Sequence, residues 1–270
     1  MCRLLAYAGD PVPLESLLIR PEGSLVSQSR AAREARTIVN GDGCGLGWYG
    51  ELEEPGLYRG ILPAWSDANL VSLCRQIRSG LFLAHVRAAT AGCVSTSNCH
   101  PFAHGRHLFM HNGQIGGYER LRRPVEAMIP DALYPYRAGT SDSEAIFLAA
   151  LGKGLAQDPV GALERTLTDI LELGATDESD DALRFAAVLS DGETLHAFRW
   201  ASDGQPPSLY CREENGGILI ASEPCGERDN EWTSLPSGSV LTVTRDGGAR
   251  LQRFEPTRRA VTRPTNVRAA

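Results

Sequence analysis

An apolar run almost at the start of the chain, Cys2-Arg-Leu-Leu-Ala-Tyr7, predicts a short buried strand. Two further candidate strands, Leu81–Val86 and His107–His111, follow it with a polar loop between them. The last third of the chain also has a strand pattern, interrupted by Asp-Gly turn signals. Its candidate strands are Arg184–Leu189, Thr194–Arg199, Ser208–Cys211, Gly217–Ala221, Ser239–Thr244 and Arg250–Phe254. The strands therefore fall into an early group and a late group.

The two most regular helical patterns lie between these groups of strands. Ser141–Ala156 opens with the capping-box pattern Ser141-Asp-Ser-Glu144, and Pro159–Leu173 follows it. A further helix is expected over Asp67–Arg78. This order favours an α+β fold with antiparallel sheets over a doubly wound parallel sheet. Without an internal repeat or an obvious linker, residues 1–255 are predicted to form one domain, followed by a polar tail over 256–270.

The composition is that of a globular protein: 270 residues, of which 42% are hydrophobic and 22% charged. A formal net charge of −6 argues against nucleic acid or an anionic membrane as the main partner. No apolar run approaches the roughly 20 residues of a membrane span. Asp10, Pro11 and Pro13 interrupt any signal-peptide pattern. We therefore expect a cytoplasmic protein.

The cysteines do not suggest a disulfide framework, because seven is an odd number and no CxxC pair occurs. One region is crowded with residues that can bind zinc: Cys93, Cys99, His100, His104, His107 and His111. No pair among them has the tight spacing of a structural zinc site. We predict that the protein uses neither a metal nor another cofactor.

Cys2 carries the most distinctive chemistry in the chain. If Met1 is removed, Cys2 holds a thiol and a free α-amine on one residue. A free α-amine has a pKa of about 7.7–8.0, so it can act as the base that accepts the thiol proton. The alternative is a small hydrophobic residue at the start of a core strand. Taken alone, Cys2 leaves both interpretations open.

Three further motifs carry polar groups that an amide-cleaving site needs. Arg87, at the end of a predicted strand, can bind a carboxylate through two hydrogen bonds, although a surface ion pair is the commoner role. Asn112-Gly113 on its own favours a hairpin turn, and the alternative is an oxyanion hole made by the Asn112 amide and the Gly113 N–H. Asp142, at a predicted helix start, is explained either by capping or by binding an α-ammonium group.

Taken together and in this order, these motifs resemble the type II glutamine amidotransferases of the N-terminal nucleophile hydrolase superfamily. The matching residues are the initial Met-Cys-Arg, Asn40-Gly-Asp-Gly43 with Gly45 and Trp48, His85-x-Arg87 with Ala89-Thr90, Cys99-His-Pro-Phe102, His111-Asn-Gly113, Thr140-Ser-Asp142-Ser-Glu144, and later Ala221-Ser-Glu-Pro224 and Trp232. The resemblance implies a four-layer αββα sandwich with Cys2 at the end of a central strand.

The resemblance also implies a role for each motif. It assigns the nucleophile to Cys2, the oxyanion hole to Asn112 and Gly113, the α-carboxylate to Arg87, the α-ammonium to Asp142, and the pocket lining to Thr90 and His100. The implied enzyme cleaves the γ-amide of glutamine, or of a γ-glutamyl conjugate, through a thioester. Its substrate is a small molecule.

Two departures from the family pattern bear on the substrate. Ala88-Ala-Thr-Ala91 stands where many large synthases carry Trp-Ala-Thr-His, and 270 residues leave no room for a synthase domain. The expected relatives are stand-alone enzymes, namely the ergothioneine-pathway amidohydrolase and the glutathione-degrading amidotransferase subunit. Leu17-Leu-Ile-Arg-Pro21 and Gln28-Ser29 are similar to the latter. A separate acceptor or synthase subunit, a homodimer, and a non-catalytic γ-glutamyl-binding protein stay open.

Overall fold

The computed structural model describes residues 2–34, 37–89, 94–174, 182–226 and 231–257, so Thr90, Cys93 and most of the predicted tail lie outside it. The strands in this part of the chain are β1 (Arg3–Pro13), β2 (Cys44–Trp48), β3 (Gly56–Gly60), β4 (Arg78–Val86), β5 (Phe102–His104), β6 (His107–Gln114), β7 (Arg184–Ser190), β8 (Thr194–Ala201), β9 (Tyr210–Glu214), β10 (Gly217–Ala221), β11 (Thr233–Ser234), β12 (Ser239–Thr244) and β13 (Ala249–Arg253). The helices are α1 (Glu15–Leu18), α2 (Leu25–Arg30), α3 (Ala68–Gln76), α4 (Tyr118–Glu126), α5 (Asp142–Gly152) and α6 (Pro159–Gly174).

The described strands form two antiparallel sheets. Sheet A has the order β11-β9-β10-β1-β4-β2-β3, and sheet B has the order β13-β12-β8-β7-β6-β5. The first strand, β1, lies in the middle of sheet A, where Leu5 is opposite both Ala221 of β10 and Ala84 of β4. In sheet B, β6 pairs with β7. Each sheet thus combines strands of the early group with strands of the late group, and the two groups lie side by side within it.

The sheets pack face to face, and helices cover both outer faces. Leu4, Leu83 and Met110 belong to the core between the sheets. Alternate residues of the same strands point outward, so that Leu5 packs under α1–α3 and Phe109 packs under α4–α6. This arrangement confirms the predicted α+β class and the four-layer αββα sandwich.

Most predicted elements are present, but the sequence missed β3, β5, β11 and α4. Helix α4 contains Pro124, which removes a backbone donor, and it holds its place by burying Leu121 and Val125. Helix α5 ends at Gly152, earlier than predicted, and Gly154 adopts a φ of 84° just beyond it. Among the helices of the described part of the chain, none combines the length and apolarity that a bilayer crossing requires.

The hairpin turn favoured at Asn112-Gly113 is wrong. Strand β6 continues through both residues to Gln114, with Asn112 opposite Ala186 and Gly113 opposite Phe185 of β7. A Cβ on Gly113 would collide with the Arg184 carbonyl oxygen. The glycine therefore permits a close approach between β6 and β7. Close approach of another backbone is one of the common reasons for glycine inside a β-strand.

Candidate active site

The alternation of side chains along the strands brings the predicted site residues to one end of the sandwich. Cys2 directly precedes β1, so the period of two places it with Leu4 on the face toward sheet B. Asn112 lies two residues after Met110 on β6, so its side chain is on the same face of the strand, toward sheet A. Because β4 runs antiparallel to β1, with Val86 opposite Arg3, the chain leaves β4 beside Cys2. Both sheets therefore present polar residues at the same end.

A cavity of about 530 Å³ lies at this end. Five of the predicted site residues line it: Cys2, Arg87, His100, Gly113 and Asp142. Asn112 is fully buried next to Gly113, and Thr90 is outside the described residues. The rest of the wall includes Asn98, the loop from Gln114 to Tyr118, Arg120, Arg122 and the segment from Thr140 to Ser143. Residues that range from position 2 to position 143 of the sequence thus share one cavity.

The sulfur of Cys2 is held by the segment that follows β4. The Ala88 N–H donates to Cys2 Sγ at 3.4 Å, and Sγ lies 3.5 Å from the Ala88 carbonyl oxygen, to which the thiol donates. Burial raises the pKa of the Cys2 thiol, whereas the Ala88 N–H and the charge of Arg87 act in the opposite direction. A protonated thiol with a nearby donor needs a base before it can attack a carbonyl.

The Asn40-Gly-Asp-Gly43 loop holds the segment that carries Arg87. The Arg87 N–H donates to the Gly43 carbonyl at 2.8 Å, and the Ala89 N–H donates to Asp42 Oδ2 at 2.7 Å. Gly43 has a φ of 117°, and a Cβ there would lie 2.7 Å from both Cys99 Sγ and the Gly60 carbonyl oxygen. The motif therefore orients Arg87, whose side chain is 6% exposed, against the cavity.

Asn112 has a buried amide whose oxygen and nitrogen both lack a hydrogen-bond partner among the described residues. A buried polar group without a hydrogen-bond partner lowers the stability of the folded protein by about 1–3 kcal/mol. Such a cost is common where a side chain is reserved for a ligand or a reaction intermediate. Asn112 directly precedes Gly113, which lines the cavity, and this placement is compatible with the oxyanion hole that the family resemblance implies.

Asp142 is the first residue of α5, and both of its carboxylate oxygens accept backbone hydrogen bonds. Oδ2 accepts from the Ile115 N–H at 2.8 Å, and Oδ1 accepts from the Ser143 N–H at 2.8 Å. The predicted cap at Ser141 is present, because its side chain accepts from the Glu144 N–H. The Glu144 carboxylate instead binds Arg137 and the Gly139 N–H. Asp142 is therefore free of the capping role and is held at the cavity wall.

Three buried imidazoles lie at this wall: His100 and His111 line the cavity, and His85 packs against His100. The rings of His85 and His100 are 4.2 Å apart. Burial, followed by the charge of Arg87, lowers the pKa of His85 to about 3, and burial lowers the pKa of His100 well below its usual value. His111 Nε2 donates to the Arg184 carbonyl at 3.1 Å, so Nδ1 accepts from the Ser143 hydroxyl at 2.9 Å. These imidazoles are neutral near pH 7.

The crowded cysteines and histidines of the zinc hypothesis are dispersed in the fold. Cys99 Sγ contacts the Gly60 carbonyl, His104 packs edge-on against Tyr136, and His111 binds Ser143. Within the residues that the structure describes, no three histidine, cysteine or acidic side chains are grouped so as to hold a metal ion. Cys93 lies outside those residues.

Several contributors to the site were not predicted from the sequence. Ala88 acts through its backbone, and the Ile115 N–H holds Asp142, so neither leaves a signal in residue type. Ser143, whose hydroxyl proton is donated to His111, also places its Oγ 3.2 Å from Asp142 Oδ1, and it lies within the Thr140–Glu144 motif. That motif was the one signal that could have pointed to it.

The fold and the cavity define a class: αββα sandwiches with a cysteine beside the first central strand and an arginine and an aspartate in the same cavity. Residues 1–204 match the family model for glutamine amidotransferases class-II. The chain belongs to the class II glutamine amidotransferases, as its motifs predicted.

Individual relatives are similar along most of their length. The chain is 33% identical to "Probable glutamine amidotransferase DUG3" of Saccharomyces cerevisiae, over 90% of this chain and 82% of the relative. It is 30% identical to "Gamma-glutamyl-hercynylcysteine sulfoxide hydrolase" of Mycolicibacterium smegmatis, over 90% and 96%. A solved "glutamine aminotransferase class-II domain protein" from Silicibacter pomeroyi superposes with a TM-score of 0.75 at 38% identity, covering 94% of this chain and all of the other.

Proposed function

We propose that this protein hydrolyses γ-glutamyl amides with Cys2 as an N-terminal nucleophile. One observation carries the proposal: Cys2 opens into the same cavity as Arg87, Gly113 and Asp142. A thiol, a cation, an N–H donor and a carboxylate are the groups needed to attack an amide, bind an α-carboxylate, stabilise an oxyanion and bind an α-ammonium. The class II family membership supports the same reading.

The two charged groups on the α-carbon of the glutamyl substrate are recognised by residues of opposite charge. Arg87 offers a guanidinium, which binds a carboxylate through two parallel hydrogen bonds. Each Asp142 oxygen already accepts one backbone N–H, and a carboxylate has about four acceptor positions, so capacity for an α-ammonium remains. With both α-substituents bound, the δ-carbonyl at the other end of the glutamyl group is directed toward Cys2.

The reaction requires Met1 to be absent, so that Cys2 carries a free α-amine. The amine accepts the thiol proton, the sulfur attacks the δ-carbon, and the Asn112 amide and Gly113 N–H donate to the oxyanion. Collapse of this intermediate expels the substrate nitrogen, which takes the proton from the Cys2 ammonium. Ammonia or an amine leaves, and a γ-glutamyl thioester remains. Water then cleaves the thioester, which releases glutamate and restores the thiol.

The size of the cavity favours a γ-glutamyl conjugate over free glutamine. Its volume of about 530 Å³ lies within the range of about 300–1,000 Å³ that drug-sized ligands occupy. One relative is named as a hydrolase of a γ-glutamyl conjugate. Since the mechanism needs a reduced thiol at Cys2, we also infer that the protein acts in the cytoplasm, where thiols are kept reduced.

A covalent label tests the nucleophile. We expect an electrophilic glutamine analogue to add one equivalent to a chain that lacks Met1, with peptide mass spectrometry locating the adduct at Cys2. Cys2→Ala should lose both the adduct and the release of glutamate. Cys211→Ala, at another partly buried cysteine in β9, should keep both. An adduct elsewhere, or glutamate release by Cys2→Ala, would reject the proposal. Competition by glutamine and by γ-glutamyl dipeptides then ranks the leaving groups.

A further inference from the structure

We propose that Arg3 is a positioning residue that fixes the main chain of Cys2 and is itself held by Glu223. The inference rests on the proposed function, because it concerns the placement of the nucleophile. It also explains why the Ala221-Ser-Glu-Pro224 motif, far from Cys2 in the sequence, accompanies the initial Met-Cys-Arg.

The guanidinium of Arg3 connects Cys2 to this distant motif. Arg3 is fully buried, its Nε donates to the Cys2 carbonyl at 2.8 Å, and its Nη1 donates to the Ser222 carbonyl at 3.3 Å. The same Nη1 lies 3.5 Å from Glu223 Oε2. A planar guanidinium presents these donors in fixed directions. The Cys2 carbonyl is therefore tied to β10 and the segment after it.

Glu223 is a rigid anchor for Arg3. Its side chain is 3% exposed, and its carboxylate accepts from the backbone N–H of Arg33 at 3.0 Å and of Glu34 at 2.9 Å. Its neighbour Ser222 is bonded to Leu4 in both directions: the Leu4 N–H donates to Ser222 Oγ, and the Ser222 N–H donates to the Leu4 carbonyl. Glu223 and Ser222, the two residues that bind the Arg3 guanidinium, are thus themselves held by backbone hydrogen bonds.

The nucleophile needs such an anchor because Cys2 precedes the first residue of β1. After removal of Met1, the peptide bond to Arg3 is its single covalent attachment. Misplacing a reacting atom by 1 Å can cost about 10² in rate. Stability is a weak explanation for the ion pair, because buried ion pairs are often no more stabilising than apolar residues of similar size. Arg3 acts on the Cys2 carbonyl, whereas the proposed substrate contacts are made by Arg87 and Asp142.

The test compares two conservative substitutions of buried arginines in sheet A. Arg3→Lys keeps the charge but loses the fork that reaches Cys2, Ser222 and Glu223 together. We expect kcat for a γ-glutamyl amide to fall about 10- to 100-fold, while KM stays within about twofold. Arg212→Lys is the matched control, because Arg212 is also buried, pairs with Glu214 and binds the Cys225 carbonyl. We expect its kcat to be unchanged.

Glu223→Gln is the second variant, for the case that Arg3→Lys does not fold. It retains an oxygen for the Arg33 and Glu34 N–H groups but removes the charge that holds Arg3, so kcat should again fall with KM unchanged. All rates are normalised to the fraction of chains without Met1, measured by intact mass. The role of Arg3 is rejected if the wild type is active and the folded Arg3→Lys and Glu223→Gln variants have the same kcat as the wild type. It is also rejected if kcat falls as much in Arg212→Lys as in Arg3→Lys. A wild type without Cys2-dependent hydrolysis rejects the proposed function, and the role of Arg3 with it.

Discussion

The backbone N–H of Ala88 donates to the sulfur of Cys2 across 3.4 Å, although 86 residues separate them in the sequence. This contact exists because β4 runs beside β1 and delivers the chain to Cys2 as the strand ends. It favours the thiolate, whereas burial favours the thiol. The Cys2 thiol is thus protonated, and its charged form already has a hydrogen-bond donor, which suits the proposed mechanism with a separate base.

Asn112→Leu should separate activity from stability. Leucine has a similar size and removes an amide that lacks partners among the described residues, so we expect the free energy of unfolding to rise by about 1 kcal/mol. Loss of one oxyanion donor should lower kcat about 10²- to 10³-fold. Denaturant titration and steady-state kinetics measure the two effects. Asn69→Leu, at an exposed position of α3, is the control, and an Asn112→Leu enzyme with nearly normal kcat would remove Asn112 from the mechanism.

Asp142→Asn should weaken substrate binding. The amide oxygen can still accept one backbone N–H, but the charge that attracts an α-ammonium is lost. A hydrogen bond to a charged group contributes about 1.5–3 kcal/mol, so kcat/KM should fall about 10- to 100-fold, mainly through KM. Asp158→Asn is the control, because Asp158 binds the Gly161 N–H at the start of α6, far from the cavity. Equal losses in both variants would contradict the assignment.

Acid should destabilise the protein through its buried histidines. Burial lowers the pKa of His85 to about 3 and that of His111 below its usual value, whereas an unfolded imidazole titrates near 6.5. Below pH 6.5 the unfolded chain therefore binds more protons than the folded one. The free energy of unfolding should fall by up to about 1.4 kcal/mol per pH unit for each such histidine. Urea titrations between pH 7.5 and 5 measure this slope, and a flat profile would refute the neutral, buried imidazoles.

Gly43→Ala should damage both the fold and the site. Its φ of 117° is unfavourable for alanine, and the new Cβ would press on Cys99 and Gly60. We expect a loss of about 3 kcal/mol in stability, together with lower activity, because Gly43 positions Arg87. Gly105 also has a positive φ, but a Cβ there would meet no atom within 4 Å. We therefore expect Gly105→Ala to lower the free energy of unfolding by only about 1 kcal/mol, as measured by thermal or chemical unfolding. Similar losses in the two variants would show that the collision is absent.

The sequence predicted the fold class correctly where patterns are local. Ser141 caps α5 as its motif indicated, and the predicted strands at Cys2–Tyr7 and Leu81–Val86 correspond to β1 and β4 of sheet A. It was wrong at Asn112-Gly113, because a turn signal and a close strand contact both require glycine. It missed α4, since Pro124 opposes a helix that burial of Leu121 and Val125 stabilises.

Taken by itself, the sequence determined which chemical groups are present and in what order: a cysteine at position 2, an arginine after a strand, an Asn-Gly pair and an aspartate at a helix start. Only the tertiary structure decided that these groups share one cavity, that Ala88 and Ile115 contribute through their backbones, and that Arg3 joins Cys2 to Glu223. The reason is physical. Residue patterns encode faces and caps within an element, whereas the register and packing of the two sheets set the distances between elements.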